Sequence, residues 1–457
     1  MTQEQPPAEI TLASADQPEQ TQPTQAPTQT PQEQPLQAQP AQAPQSEPSQ
    51  AQALGAPPQS GQSQPPPRWS WLRRLDRLVP APYRQILLMF ALTRVVLTGI
   101  GVITRMVLMP FMPYYYKWEY SKQGWLDVWS LWDSGWYLDI AQYGYSATTH
   151  STLPKMVASG QYNYAFFPVY PLLMRWLGWL VGDFALAGMI ISNVFALLAC
   201  IFLYKLVRLD DDEPTASRAV KYLLLTPVAF ILSGVFTEST FLALAIMSFY
   251  FAKRRIWWLV GLVGFFAALS RTVGVLLVVP LLYEYLKARR FDPRKIRPDI
   301  LLLALVPAGL GVFMAYNHHL TGDWLAFAHI QRAWLRESIN PFKTLAEGLV
   351  NWNEAYVLVP AWYVLACLAA TVVFCWRLGL SYWMLTMLLI LVPLASSLPH
   401  RSQMGAMPRY CLVAFPLVIL MARLTNRPAV DRHLSTLLAM AQGALMAFWS
   451  FGFPMVF

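Results

Sequence analysis

Long apolar runs recur from residue 86 to residue 455 and constrain the fold more than any other feature. Only 13% of the residues are charged, whereas soluble domains carry about 25%. A run of roughly 20 apolar residues crosses a bilayer as a helix, and lipid forces every backbone polar group to pair within that helix. The sequence therefore predicts an all-α polytopic membrane protein rather than a soluble core.

About eleven runs are predicted to be transmembrane helices, although several are shorter than the ~20 residues of a full crossing and are expected to be tilted or broken. They are 86–108, 185–207, 219–236, 238–252, 256–270, 272–286, 300–318, 355–376, 380–398, 408–424 and 434–455. Segment 170–182 follows Pro168 and contains Pro171. It is predicted to be an amphipathic helix on the membrane surface.

Two segments precede the predicted transmembrane domain, 86–457. Residues 1–67 are rich in Gln and Pro and contain no Lys or Arg, so we expect a disordered tail. Residues 68–85 are basic and contain Trp69 and Trp71. This composition is typical of an interfacial segment at an anionic cytoplasmic leaflet.

The positive-inside rule orients the chain in the membrane. The basic clusters 72–77, 205–208, 253–255, 287–297 and 423–433 all fall on one side of the predicted spans. We expect that side, and the N-terminal tail, to be cytoplasmic. The large first loop, about 109–184, then lies on the non-cytoplasmic face of a multi-pass protein of the cytoplasmic membrane.

Charge and cysteine usage exclude several classes. The net charge is +9, but the basic residues sit in short clusters between apolar runs, so a nucleic-acid partner is not predicted. The chain contains no HExxH, GxGxxG or Walker sequence and no dense His/Cys cluster, and a metal site is not indicated. The cysteines lie in apolar segments without a CxxC pair and are interpreted as buried apolar residues: Cys200, Cys367, Cys375 and Cys411.

The polar residues that could take part in catalysis or ligand binding lie on the predicted non-cytoplasmic face. The first loop contains Asp133 and Asp139 in "SLWDSGWYLDIAQYGY", residues 130–145. A carboxylate suits a general base, and arginine suits a phosphate. The other candidates are Glu238, Arg271, His318, His319, Asp323, His400, Arg401 and Arg409. Together they predict a site for a lipid phosphate and a hydroxyl acceptor.

Structural interpretations of these residues remain open. Asp133 fits a helix cap, and Asp139 lies six residues on, a spacing that does not give the two a common helix face. Glu238 fits a solvated turn, and Arg409 fits an interfacial anchor. Within the first span, Arg94 is predicted to face the bundle interior with a partner, because a charge in lipid is costly. Arg105 is expected to reach a membrane surface.

Six ordered blocks between residues 86 and 424 carry a resemblance to a known family. They are "WDSGWYLDIAQYGY" with "NYAFFPVYPLLMR", "FTESTFLALA", "ALSRTVGVLL", "TGDWLAFAHIQRAW" and "MPRYCLVAFPL". The chain resembles the PIG-V-like family, relatives of GPI mannosyltransferase II. The resemblance implies a GT-C-like bundle and a mannosyltransferase that uses a polyprenyl-phosphate sugar and inverts the anomeric centre.

The resemblance also implies a role for Asp133, whereas the roles expected of the other candidates follow from their charge and their predicted side of the membrane. Asp133 is the expected catalytic base. Arg271 and Arg409 are expected near the donor phosphate, and Glu238 and Asp323 near the sugar or acceptor. Asp139, His400 and Arg401 complete the expected substrate-binding set. The implied partners are a polyprenyl-phosphate mannose, a lipid or protein acceptor, and membrane lipids.

A multi-span transporter or flippase is the alternative function. In that case Arg94 would line a pathway. Transporters often consist of paired repeats with broken helices, but no internal repeat is visible in this chain. The polar motif also lies in the first loop rather than at mid-membrane, and this favours the enzyme. A non-catalytic membrane scaffold is a third interpretation.

Overall fold

The computed structural model describes residues 80–111, 119–147, 160–334, 336–397, 404 and 406–453. The described chain is almost entirely helical, and this confirms the predicted all-α fold class. The predicted tail and most of segment 68–85 lie outside the described residues. Its last residues, 81–85, belong to the first helix.

The α-helices have the following bounds. They are α1 Ala81–Leu108, α2 Gly124–Asp127, α3 Ser134–Tyr143, α4 Val169–Val181, α5 Phe184–Val207, α6 Glu213–Leu225, α7 Glu238–Lys253, α8 Trp257–Ala268, α9 Val278–Ala288, α10 Leu305–Thr321, α11 Ala326–His329, α12 Pro341–Val350, α13 Ala355–Phe374, α14 Leu380–Leu394, α15 Met407–Leu412, α16 Pro416–Leu424 and α17 Pro428–Ser450.

Short 3₁₀ helices and one pair of strands connect them. The 3₁₀ helices are Asn163–Ala165, Ala229–Ser233, Thr272–Leu277, Pro293–Lys295, Pro298–Ala304, Ile330–Trp334 and Cys375–Leu378. Strand β1, Glu337–Ser338, pairs antiparallel with β2, Ser396–Ser397. In this ladder Glu337 is opposite Ser397, and Ser338 is opposite Ser396.

Four helical stretches in the described residues are long and apolar enough to cross a membrane. They are Ala81–Leu108, Phe184–Val207, Pro298–Thr321 and Ala355–Leu378. Each coincides with a predicted span. On α1, Leu88, Val95 and Met106 are 69%, 70% and 73% exposed, and such an apolar outer face is typical of contact with lipid.

Two predicted spans contain a break between separate helices. The short run 219–236 is broken, as expected for runs below the length of a full crossing: α6 ends at Leu225 and a 3₁₀ helix follows at Ala229–Ser233. Pro227 lacks an N–H donor and disfavours the helical conformation of the residue before it. Thr226 has ψ 135°, which takes it out of the helix. The predicted span 408–424 likewise consists of α15 and α16, and α16 starts at Pro416.

Helix α4 forms where the amphipathic surface helix was predicted. Its buried face includes Tyr170 and Met174 and packs on α5. Its other face exposes Trp176, Trp179 and Leu180 at 73%, 62% and 82%. The helix ends at Gly182, where a left-handed φ of 75° suits a glycine.

The main hydrophobic core surrounds α5, α6 and α7 and continues into α1, α8 and α17. A second core lies between α13, α14 and α15. The beginnings of α3, α7 and α15 and the turn after α8 are brought together. These four places carry Asp133, Glu238, Arg409 and Arg271, respectively.

Candidate functional site

The turn that carries Asp133 is fixed by its own backbone and by residue 235. Trp132 has a φ of 53°, a left-handed conformation that is costly for a bulky residue and is concentrated at functional sites. The Ser134 hydroxyl donates to the Val235 carbonyl at 3.2 Å. The Val235 N–H donates to the Trp129 carbonyl at 2.9 Å. These contacts hold the Asp133 turn beside the chain that leads into Glu238.

The other residues of this motif pack the turn from two sides. At Gly135, a Cβ atom would lie 2.3 Å from the hydroxyl oxygen of Tyr120, so only glycine permits this close approach. Trp136 stacks on Phe166 with ring centroids 5.6 Å apart and meets Trp334 edge-on at 5.6 Å. The motif is therefore a packed support for Asp133 rather than a solvated loop.

Glu238 lies at the first position of α7, and its side chain is only 1% exposed. Its Oε1 is 2.6 Å from Nη1 of Arg271 and 3.0 Å from Nε of Arg409. A buried carboxylate needs such partners, because its desolvation is otherwise prohibitive. The expected solvated turn at Glu238 is thus replaced by a buried ion pair with two arginines.

Arg409 extends the cluster to Asp133. Its Nη1 and Nη2 donate to Oδ2 of Asp133 at 3.2 Å each. The Asp133 side chain is 26% exposed, whereas that of Arg409 is 5% exposed. Two carboxylates and two guanidinium groups therefore form one charge-balanced cluster, which we call the inner cluster: Asp133, Glu238, Arg271 and Arg409.

A cavity of about 1040 Å³ opens beside the inner cluster. Such a volume holds a ligand of the size of a sugar phosphate. One part of its wall is polar and the rest is aromatic or apolar. The lining includes Asp133, Tyr137, Phe166, Phe167, Thr237, Arg271, Val273, Phe327, His329, Gln331, Arg332, Trp334, Arg336, Glu337, Pro393, Met407, Arg409 and Tyr410.

Several lining residues were not among the sequence candidates. Arg332 and Arg336 lie on the segment that follows α11, and Tyr410 follows Arg409. The ring centroid of Tyr410 is 5.3 Å from the Arg271 guanidinium and 5.6 Å from that of Arg409. Both arginines lie in a loop that the predicted spans place on the non-cytoplasmic face. Their positive charge and this predicted side of the membrane could therefore have identified them.

Asp139 is held away from the cavity lining. Its side chain is buried, and Oδ2 accepts a hydrogen bond from Asn163 Nδ2 at 2.7 Å. The same nitrogen donates to the Gly144 carbonyl at 3.0 Å. Asn163 Oδ1 accepts from the Ser146 N–H at 3.1 Å. These contacts join α3 to the 160–165 segment, and a substrate contact for Asp139 stays a prediction.

Asp323 lies at the exposed end of α10 and contacts a cavity residue. Its Oδ2 is 2.6 Å from His329 Nδ1, and its Oδ1 accepts from the Leu325 N–H at 2.9 Å. These hydrogen bonds, that of His329 first, lower the pKa of the Asp323 carboxyl below its ordinary value. Nearby, His318 stacks on Trp324 with ring centroids 4.6 Å apart. His400 and Arg401 lie outside the described residues.

The two arginines of α1 have different partners. Arg94 donates to Ser233 Oγ at 3.0 Å and to the Ala229 carbonyl at 3.3 Å, which confirms the predicted interior partner. The expectation that Arg105 reaches a membrane surface is wrong. Arg105 is buried, and its Nη1 is 2.8 Å from Oδ2 of Asp127, because the first loop folds back over it.

Two further points concern possible metal ligands and the position of Arg94 relative to the cavity. Among the described residues, no group of three or more His, Cys, Asp or Glu could hold a metal ion. Arg94 contacts the 3₁₀ helix Ala229–Ser233 and does not line the cavity.

Comparison with known proteins gives a family match and several similar solved structures, one of which is described below. Residues 167–340 match the family model described as dolichyl-phosphate-mannose-protein mannosyltransferase. The crystal structure of ArnT from Cupriavidus metallidurans bound to undecaprenyl phosphate is similar to this chain at 13% sequence identity, with a TM-score of 0.47, and the similarity covers 81% of this chain and 76% of that chain. No match is found among the curated proteins.

Proposed function

We propose that the protein is a membrane glycosyltransferase that moves a sugar from a polyprenyl-phosphate donor to a hydroxyl acceptor. The observation that carries the proposal is Asp133, which lines a large cavity with an aromatic and cationic wall at the end of an apolar helical bundle. The family match over 167–340 supports the reaction class and favours mannose as the sugar. The matched range includes Glu238, Arg271 and Asp323 but neither Asp133 nor Arg409.

Asp133 is suited to act as the general base. Its described hydrogen bonds, both from Arg409, end on Oδ2, so Oδ1 is the oxygen that would accept the proton. The acceptor oxygen would then form its bond to the anomeric carbon while the bond from that carbon to the phosphate oxygen breaks. The donor leaves as polyprenyl phosphate, and the configuration inverts because the displacement is single.

Arg271 and Arg409 are suited to hold the reacting groups in place. Their guanidinium planes are fixed by Glu238 at 2.6 and 3.0 Å and are therefore preorganised before substrate arrives. Held in this way, Arg409 keeps the Asp133 carboxylate oriented without reorganising during the reaction. Phe166, Trp334 and Tyr137 line the cavity and supply aromatic faces for a sugar ring.

We place the reaction at the non-cytoplasmic face of the cytoplasmic membrane, with the N-terminal tail in the cytoplasm. The distribution of basic clusters supports this orientation. The acceptor is a lipid or a protein. The resemblance to PIG-V-like enzymes stays a prediction, because the matching family model is of the protein-mannosyltransferase type.

Sugar transfer by the purified protein tests the proposal. Wild-type protein in detergent, supplied with a radiolabelled polyprenyl-phosphate mannose and membrane extract, is expected to yield labelled product. Asp133→Asn is expected to lower kcat by about 10²–10⁴-fold in protein whose folded fraction is checked by thermal unfolding. A matched control is Asp183→Asn, since Asp183 caps α5 through the Leu186 N–H and asparagine caps equally well. Near-normal transfer by folded Asp133→Asn would remove Asp133 as the base.

Mass spectrometry identifies the sugar and the acceptor. Glycolipids and glycoproteins from cells with and without the gene are compared. A product that gains one hexose only when the gene is present supports the proposed reaction. Movement of a labelled lipid across vesicles without any sugar transfer would support the transporter alternative instead.

A further inference from the structure

The inner cluster carries no net charge with which to attract an anionic ligand. Asp133 and Glu238 balance Arg271 and Arg409, and the ion pairs that join them are 2.6 to 3.2 Å long. A phosphate brought to these arginines has to compete with two carboxylates already in contact with them. Net attraction for an anionic ligand therefore has to come from other cations on the cavity wall.

Arg332 and Arg336 are the cavity-lining cations that lack a carboxylate partner among the described residues. Within the described residues, the Arg336 guanidinium donates to a neutral acceptor, Gln331 Oε1, at 3.2 Å, and Arg332 is exposed. Even with the exposed Glu337 counted, the cavity wall keeps a positive excess.

The segment that carries these arginines is tied to the rest of the wall. Strand β1 pairs with β2, and the Ile339 N–H donates to the Ala395 carbonyl at 2.9 Å. Gln161 Nε2 donates to the Ala333 carbonyl at 3.3 Å. Arg336 lines the same cavity as Tyr410, whose ring contacts Arg271 and Arg409. The two arginines therefore lie on a built wall next to the inner cluster.

We propose that Arg332 and Arg336 form the seat for the phosphate group of a substrate, separate from the inner cluster. Arginine holds phosphate through parallel N–H donors in a planar fork. The inference rests on the proposed function for the identity of that substrate, since a lipid donor and a phosphorylated acceptor both carry the required group.

The stereochemistry of the proposed reaction favours a separate seat. In a single displacement the base and the leaving group act on opposite faces of the sugar, and in inverting glycosidases the two acting groups are roughly 6.5–9.5 Å apart. Arg409 lies 3.2 Å from Asp133, so a phosphate bound mainly to Arg409 would crowd the base. A seat contributed by a different segment removes this conflict.

Direct lipid binding tests the seat without any catalysis. Affinities for undecaprenyl phosphate and for undecaprenol are measured in detergent for wild type, Arg332→Gln/Arg336→Gln and the control Lys343→Gln. Lys343 is an exposed cation on α12 that does not line the cavity. If the phosphate is that of the donor lipid, wild type and control are expected to prefer the phosphate at least tenfold, and the double variant to lose most of that preference.

Kinetics distinguish the two sources of phosphate. A donor phosphate is indicated when the double variant raises KM for the polyprenyl-phosphate sugar about tenfold or more. An acceptor phosphate is indicated when only the KM of the acceptor rises. Unchanged lipid preference together with unchanged KM for both substrates would overturn the inference. If the double variant fails to fold, the same measurements are made on the single variant Arg332→Gln, since Arg332 is exposed.

The outcome is separable from that of the proposed function. If wild type transfers sugar and the variant transfers it with normal KM values, the function stands and the phosphate seat is wrong. If wild type transfers no sugar but binds undecaprenyl phosphate through Arg332 and Arg336, the seat stands and the glycosyltransferase proposal fails.

Discussion

Arg409 donates hydrogen bonds from both terminal guanidinium nitrogens to a single oxygen of Asp133, at 3.2 Å each. Its third nitrogen, Nε, is 3.0 Å from Glu238. One buried side chain therefore connects the exposed carboxylate at the cavity to the buried carboxylate at the start of α7. The orientation of Asp133 depends on a residue that comes far later in the chain.

Arg409→Lys tests this connection. A lysine keeps the charge but has one compact ammonium instead of a planar fork, so it cannot hold both carboxylates in the observed geometry. We expect kcat for sugar transfer to fall about 10–100-fold, which corresponds to roughly 1.4–2.7 kcal/mol of transition-state free energy. The measurement is steady-state transfer by detergent-purified protein.

Arg377→Lys is the matched control, because Arg377 is exposed and contacts only the rings of Phe374 and Trp376 among the described residues. Its kcat is expected to match that of wild type. Full activity in folded Arg409→Lys would show that the forked geometry is not needed.

The buried ion pair between Glu238 and Arg271 is expected to be strongly coupled. Removing one partner leaves a buried charge without compensation, at a cost of about 3–5 kcal/mol. In a double-mutant cycle, Glu238→Gln and Arg271→Gln together should therefore cost clearly less than the sum of the single variants. The free energies of unfolding are measured by denaturant titration in mixed micelles.

The exposed pair Lys343 and Glu347, 3.8 Å apart, provides the comparison cycle. Surface pairs at this helical spacing contribute about 0.3–0.5 kcal/mol. Equal coupling energies in the two cycles would contradict a dominant role for burial at Glu238.

Apolar run length predicted where helices form, but it did not predict where they break. The runs over α1 and α5 agree with the structure because nothing interrupts their backbone hydrogen bonding. The breaks before Ala229 and before Pro416 occur next to prolines that are visible in the sequence. Hydropathy averages over such residues, whereas the loss of one N–H donor changes the backbone path.

For the site, assigning each loop to one side of the membrane predicted which residues lie on the same face, but it did not predict which of them form ion pairs. Asp133, Glu238, Arg271 and Arg409 were all expected on one face, and the structure brings them into one cluster. Which arginine meets which carboxylate depends on helix packing over long sequence separations. Arg332 and Arg336 were not among the sequence candidates, because only the folded arrangement shows that they line the same cavity as Asp133.

Gly135→Ala tests the support behind Asp133. The new Cβ would lie 2.3 Å from the Tyr120 hydroxyl oxygen and 2.6 Å from its ring carbon Cζ, so Tyr120 or the Asp133 turn has to move. We expect a loss of about 1–3 kcal/mol in the free energy of unfolding, as for other overpacked sites, together with reduced transfer. Both are measured on the same purified sample.

Gly99→Ala is the control, since a Cβ at Gly99 in α1 meets no atom within 4 Å. In a helix interior this change is expected to stabilise by roughly 0.5–1 kcal/mol. A neutral effect of Gly135→Ala on both stability and transfer would mean that the Tyr120 contact is not maintained.

Variants that remove the Asp139–Asn163 hydrogen bond distinguish a structural role for Asp139 from the predicted substrate contact. Asp139→Ala and Asn163→Ala each remove a hydrogen bond to a charged group, which contributes about 1.5–3 kcal/mol, so we expect both variants to unfold at lower denaturant concentration. If the pair only joins α3 to the 160–165 segment, the folded fractions of both variants keep kcat and KM within about threefold of wild type. Should Asp139 contact the substrate, KM rises in Asp139→Ala and stays normal in Asn163→Ala, because Asn163 would then act only through stability.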